Sequence, residues 1–303
     1  MAGEDRRGVW LALGAYVVWG LLPVYWKALH AVPAISILAN RIVWSAVFVA
    51  LVLTVGRNWG WLRAALHSRR IVLTYVGAGV LLSINWYIYI WAVNAGFLVD
   101  SSLGYFITPL VNVLLGVLIF HERLRPAQWA AVGLAAAGVL YITASYGQLP
   151  WIGLSLAATF GVYGLVKKQA RLPALQGMAL ETGAIVLPAA AFLLYQEMTG
   201  AGVVGHVDWW TTLLLVGTGV ITIIPLLWFA EAAQRIPLST MGVIQYVSPT
   251  LMFLLGLLVF HEAFDVHKLV GFVLIWAALV VYWMTSLRSA GPAAKPPVAA
   301  PSR

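Results

Sequence analysis

Residues 105–122 read YFITPLVNVLLGVLIFHE, and residues 245–262 read QYVSPTLMFLLGLLVFHE. Eight of these 18 aligned positions are identical at an offset of 140 residues. They include Pro109 and Pro249, Gly116 and Gly256, Phe120 and Phe260, and the pairs His121–Glu122 and His261–Glu262. A fainter echo links Trp19-Gly20-Leu21 to Tyr163-Gly164-Leu165. Self-similarity at one long offset marks a duplicated unit. Both segments are apolar almost throughout, so the duplicated parts are helices that face lipid or one another.

Composition agrees. Of 303 residues, 62% are hydrophobic and 9% charged, against roughly a quarter charged in a soluble domain. The mean hydropathy is +0.91. Too few charged side chains exist to cover a soluble globule of this size. The 15 tryptophans suit the belts where indole rings sit at bilayer surfaces. A membrane barrel alternates apolar and polar residues over ten-residue segments, whereas the apolar runs here are about twice that length. The fold class expected is all-α and polytopic.

Ten stretches of spanning length can be drawn: 9–26, 33–55, 71–93, 101–120 and 127–145 in the first half, and 151–166, 177–195, 211–233, 238–260 and 268–287 in the second. The first is expected to be a retained span, since a cleaved leader has a shorter apolar region and a small-residue cleavage site. Residues 1–148 and 149–288 form two five-helix units, and the proline-rich stretch 289–303 is expected to be a disordered cytoplasmic tail. With the N-terminus in the cytoplasm, fifteen of the 18 Lys and Arg fall on the inner side. Lys27 and Lys268 fall outside, and Arg41 lies within a span. That asymmetry is the usual bias of cytoplasmic loops, so the net charge of +8 is no sign of nucleic-acid binding. Both termini are then cytoplasmic.

Five spans per copy is an odd number, so the second copy enters the membrane upside down relative to the first. The loop after Phe120 carries Arg123 and Arg125, while its counterpart after Phe260 carries Ala263 and Phe264. Inverted repeats of this kind build many secondary transporters.

Four further motifs occur in order: residues 15–27 (AYVVWGLLPVYWK), 41–45 (RIVWS), 85–94 (NWYIYIWAVN) and 102–107 (SLGYFI). With the duplicated units, they make the chain resemble the EamA-type repeats of the drug/metabolite transporter superfamily, and more narrowly its RarD branch. The resemblance spans about residues 8–287. It implies a permease of the inner membrane. Through relatives of the YddG type it further implies export of amino acids. Drugs or other aromatic metabolites are the alternative cargo. An intramembrane enzyme on lipid-linked substrates is the rival from another class.

Several residues are candidates for the work of transport. Pro109 and Pro249 each remove one backbone hydrogen bond at corresponding places and make candidate hinges. Asn85 and Tyr89 are four apart on one helix face, and an amide in hydrocarbon needs a partner or water. Trp19, Asn85, Tyr89 and Tyr105, with Tyr163 and Gln245 from the other half, are the expected substrate-binding lining. Rings with polar tips suit small amphipathic solutes. Arg41, eight residues into its span and so about 12 Å deep, either snorkels outward or attracts an anion. Glu181 and Glu231 are the carboxylates eligible for proton coupling, and Glu181 has Lys167 or Lys168 as a bland ion-pair partner.

The six histidines all fall at span ends or in loops, and Cys is absent. No metal site, catalytic set or cofactor is expected. The implied partners are a small-molecule substrate and the bilayer, without nucleic acid or an ATPase subunit, in a monomer or weak homodimer. The absence of native Cys makes a clean topology test. Cysteines introduced at Leu124 and Phe264 should react with impermeant maleimide from opposite faces, and labelling of both from one face would contradict the inverted arrangement.

Overall fold

The computed structural model describes residues 3–94, 98–145, 151–259 and 266–288. The 146–150 boundary, the second His261–Glu262 pair and the expected tail at 289–303 lie outside them. Every described element is helical: α1 (Gly3–Ala28), α2 (Ala34–Val55), α3 (Gly60–His67), α4 (Arg69–Asn94), α5 (Leu98–Phe120), α6 (Pro126–Ser145), α7 (Trp151–Gln169), α8 (Ala174–Met198), α9 (Trp209–Arg235), α10 (Leu238–Gln245), α11 (Val247–Leu258) and α12 (Val266–Arg288).

The helix ends follow local chemistry. α2 and α8 each begin directly after a proline, Pro33 and Pro173. Asp208 caps α9 by accepting a hydrogen bond from the Thr211 amide at 2.9 Å. Hydrogen bonds from Thr211 hold that carboxyl below the usual range. Two features depart from the sequence reading. The 57–70 connection contains the short amphipathic α3, whose Ala65 is buried. The expected span 238–260 is broken at Tyr246 into α10 and α11. Pro249 has no N–H to give the Gln245 carbonyl, so the ladder lapses there. Pro109 sits at the aligned place in α5, which nevertheless continues through it.

Seven segments among the described residues are long and apolar enough to cross a bilayer: Arg6–Ala28, Ala34–Val55, Arg69–Tyr89, Pro126–Ser145, Ala174–Met198, Trp209–Arg235 and Leu238–Leu255. Gly104–Phe120 and Leu269–Tyr282 are apolar but shorter. α7 is 19 residues long and closes on Lys167 and Lys168, which dilute its apolar character. The protein is a multi-pass all-α membrane protein with seven clear spans among the described residues, where the sequence reading expects ten in the whole chain.

Packing runs between the halves. α1 lies on α9 and α11, α2 on α8 and α9, α4 on α7 and α8, α5 on α7 and α10, and α6 on α12. Exchanging α1, α2, α4, α5 and α6 for α7, α8, α9, α10–α11 and α12 reproduces the same set of neighbours, the pattern of a two-fold. Contacts within a half are slight by comparison.

Helices that gain little from the hydrophobic effect in lipid associate through close backbone approach at small residues. On α6, Ala131, Ala135 and Gly138 are buried toward α12, and a Cβ at Gly138 would stand 2.8 Å from the Gly271 carbonyl. Where α10 crosses α5, a Cβ at Gly242 would stand 2.5 Å from the Pro109 carbonyl oxygen. That crossing tolerates no side chain. Gly242→Ala should cost about 1–3 kcal/mol and lower the thermal midpoint in detergent, while Gly183→Ala, with open space around it, should leave it unchanged. Equal midpoints for both variants would contradict this packing.

Candidate functional site

Where the halves meet, a cavity of about 940 Å³, counting its opening, is enclosed by α1, α2, α4, α5, α7, α9, α10 and α11. Five of the six expected lining residues are in its wall: Trp19, Asn85, Tyr89, Tyr105 and Gln245. Arg41 joins them. The sequence reading missed Tyr16, Trp26, Trp86, Thr108, Phe160, Ser248 and Met252, which also line it. A signal existed for two of these, because Thr108 and Ser248 each precede a duplicated proline.

The polar groups are held from several sides. The Asn85 amide donates to the Leu156 carbonyl at 2.9 Å and to the Thr159 hydroxyl at 2.8 Å. Asn85 therefore joins α4 to α7 as well as standing in the wall. Tyr89 and Tyr105 meet edge to face at 6.0 Å between centroids. The elbow between α10 and α11 is tied down on both sides. Gln245 accepts from Asn112 Nδ2 at 2.8 Å, and Ser248 donates to the Tyr16 carbonyl at 2.6 Å. Gln245 and Tyr105 are aligned residues, and each carbonyl loses its helical donor to the proline four positions on. Pro109 and Pro249 themselves are buried and stand outside the wall.

Arg41 is turned toward the cavity. Its Nε donates to Thr222 Oγ1 at 3.0 Å. Its guanidinium carbon lies 4.9 Å from the Trp26 ring centroid and 4.4 Å from that of Trp86. No ion pair involves it among the described residues.

Tyr163, Glu181 and Glu231 stand outside the cavity wall. Tyr163 does not line the cavity. It is fully buried behind it, stacked on Phe229 at 5.9 Å, with Phe160 and Phe229 packed 5.3 Å apart between it and Trp19. Its hydroxyl donates to Glu181 at 3.2 Å. Glu181 in turn pairs with Lys167 at 2.7 Å, and each side chain is 1% exposed. Both are shut away from the cavity by the aromatic layer. Glu231 lies at the surface, in a network with Arg7 at 3.0 Å and Arg235 at 2.8 Å, and exposed pairs of that kind contribute little. Glu122, at the end of α5, caps α10 instead: it accepts from the Leu238 and Ser239 amides at 2.8 and 3.0 Å and from the Ser239 hydroxyl at 2.6 Å. Among the described residues no group of three His, Asp or Glu side chains is placed to hold a metal.

The EamA-like transporter family model matches residues 6–144 and again 150–284. The chain belongs to that family. The two matched stretches are its two EamA repeats, so the protein is a membrane transporter and not an enzyme. Protein RarD of Streptomyces exfoliatus is 46% identical, over 95% of this chain and 91% of its own length. An uncharacterized transporter, YojE of Bacillus subtilis, is 45% identical, over 94% and 96%. Protein RarD of Escherichia coli is 40% identical, over 94% and 97%. One solved crystal structure superposes with a TM-score of 0.70 at 21% identity, covering 93% of this chain and 98% of the other, which is a likeness of fold.

The buried pair yields a sharp energetic expectation. Lys167→Ala and Glu181→Ala should each destabilise the protein by about 3–5 kcal/mol, because each strands a buried charge, whereas Lys167→Met/Glu181→Leu should recover most of the loss. Thermal unfolding in detergent reads the three variants. A double variant no more stable than the singles would contradict a purely pairwise role.

Proposed function

We propose that this protein is a secondary transporter of the bacterial inner membrane that exports small metabolites, amino acids foremost, by alternating access through the central cavity. The observation that carries the reading is where the cavity sits. It lies at the crossing of the two proline-bearing segments, with residues from both repeats in its wall. Discontinuous or proline-bearing helices at a repeat interface are where such transporters bind their cargo. In this reading ten spans form two inverted five-helix repeats with both termini cytoplasmic. α5 crosses as a whole, and α10 and α11 together make one crossing. The neighbour pattern that survives exchange of the halves supports the inversion.

With the N-terminus inside, the wall residues of α1, α2, α4, α5 and α7 come from the outer parts of those helices. The cytoplasmic end is then closed by the layer of Tyr16, Phe160, Tyr163 and Phe229, with Lys167–Glu181 and the Glu122 cap beneath it. This supports an arrangement open outward and closed inward. Pro109 and Pro249, at the crossing, are the proposed pivots. Glu181 acts in the closed end, and Glu231 has no part in coupling. Amino acids suit the wall because rings give flat apolar contact while hydroxyl and amide groups supply hydrogen bonds. No ATPase subunit is required, since flux runs down a gradient.

Proteoliposomes containing this chain alone should exchange labelled amino acids down a gradient. Tyr89→Phe or Asn85→Ala should shift apparent affinity or rate by about two- to tenfold, the effect of one hydrogen bond, with insertion intact. No flux across an amino-acid panel, together with robust flux of an aromatic drug, would reassign the cargo.

A further inference from the structure

Arg41 and Glu181 occupy the same place in the two halves. Each lies eight residues after the proline that precedes its helix, Pro33 for α2 and Pro173 for α8. The preceding helices carry the matched glycines Gly20 and Gly164, and counting from these sets Pro23 opposite Lys167. In the second half the buried charge has its counter-ion there: Lys167 lies 2.7 Å from Glu181. In the first half that place holds Pro23, which lines the cavity and carries no charge. The duplication thus shows one buried charge with its partner and one cavity-facing charge without.

Nothing else in the described wall supplies the partner. Among the described lining residues Arg41 is the sole Asp, Glu, Lys, Arg or His. A hydroxyl and two indole rings orient its guanidinium but do not neutralise it. A cation in a low-dielectric site attracts an anion far more strongly than it does in water.

We infer that solutes enter this cavity as carboxylates and that Arg41 is the anchor that selects them, an inference that rests on reading the cavity as the cargo site. The planar guanidinium fork matches the two oxygens of a carboxylate and donates to both. No carboxylate in the described wall awaits an ammonium, so the amino group of an amino acid meets only ring faces and neutral dipoles. The class selected is therefore the organic monocarboxylate with a flat or apolar body. Amino acids belong to it through their carboxylate, and the ammonium is dispensable.

Isothermal titration calorimetry on the full chain in detergent, with 3-phenylpropionate, L-phenylalanine and L-phenylalaninamide, tests this. The two acids should bind, and the amide at least about tenfold more weakly, the loss of a charge-assisted contact. In Arg41→Gln the acids should fall to the level of the amide while the amide is unaffected, and Arg41→Lys should retain an intermediate preference. The comparison within the unaltered chain needs no variant to fold: an amide that binds as tightly as the acids overturns the inference. Failure of the amino-acid reading looks different. In that case no amino acid is carried into proteoliposomes, yet 3-phenylpropionate binds and loses its binding in Arg41→Gln. Amino-acid flux with unchanged KM in Arg41→Gln, and equal competition by the amide, would sink the anchor and leave the transport reading standing.

Discussion

Neither half of this protein contains its own core. In lipid the surrounding chains are as apolar as leucine, so helices cohere through close backbone approach and buried polar contacts. Here those contacts run almost entirely from one repeat to the other: α6 on α12, α5 on α10, and α1 and α2 on α9. Gly242 against the Pro109 carbonyl and Gly138 against the Gly271 carbonyl are where backbone meets backbone. Everything functional inherits this geometry. A cavity at the seam is necessarily lined by both repeats, and any change in how they lean on each other alters its access.

The proline elbows turn that seam into a polar place. Because Pro109 and Pro249 donate nothing, the carbonyls of Tyr105 and Gln245 are released from their helices. Thr108 and Ser248 bring hydroxyls to the same depth. The hydrogen bonds from Asn112 to Gln245 and from Ser248 to the Tyr16 carbonyl hold the broken segment in place. One half breaks into two helices and the other does not. The chain neighbours of the two prolines are alike, so the difference arises from the surroundings, with α10 pinned at its N-terminus by Glu122.

Charge is handled in two opposite ways. Lys167 and Glu181 neutralise each other behind a layer of rings, where desolvation is offset by pairing and by the Tyr163 hydroxyl. Arg41 keeps its charge in the wall of a space large enough for a solute. The same register within the repeat thus carries a neutralised charge in one half and a cavity-facing one in the other. Duplication followed by divergence of single residues, such as Lys167 against Pro23, is sufficient to make that difference.

Much of this was legible in the chain as written. The apolar runs, the 140-residue offset and the paired prolines determine a duplicated helical membrane protein, because spanning length and helix period are local properties. The cavity residues Trp19, Asn85, Tyr89, Tyr105 and Gln245 were visible as polar or aromatic groups that hydrocarbon penalises unless they are wet or paired. Three-dimensional packing alone decided which of them share a space. Tyr163 echoes Trp19 in the repeat, yet it turns away to a buried carboxylate. Glu231, within a helix by sequence, ends at the surface beside two arginines. Arg41, placed by counting about 12 Å into a span and free by sequence to snorkel outward, turns instead to the cavity beside two indoles. Many side-chain partners in this bundle come from the other half, as much as 232 residues away, and no local pattern encodes which face will meet them.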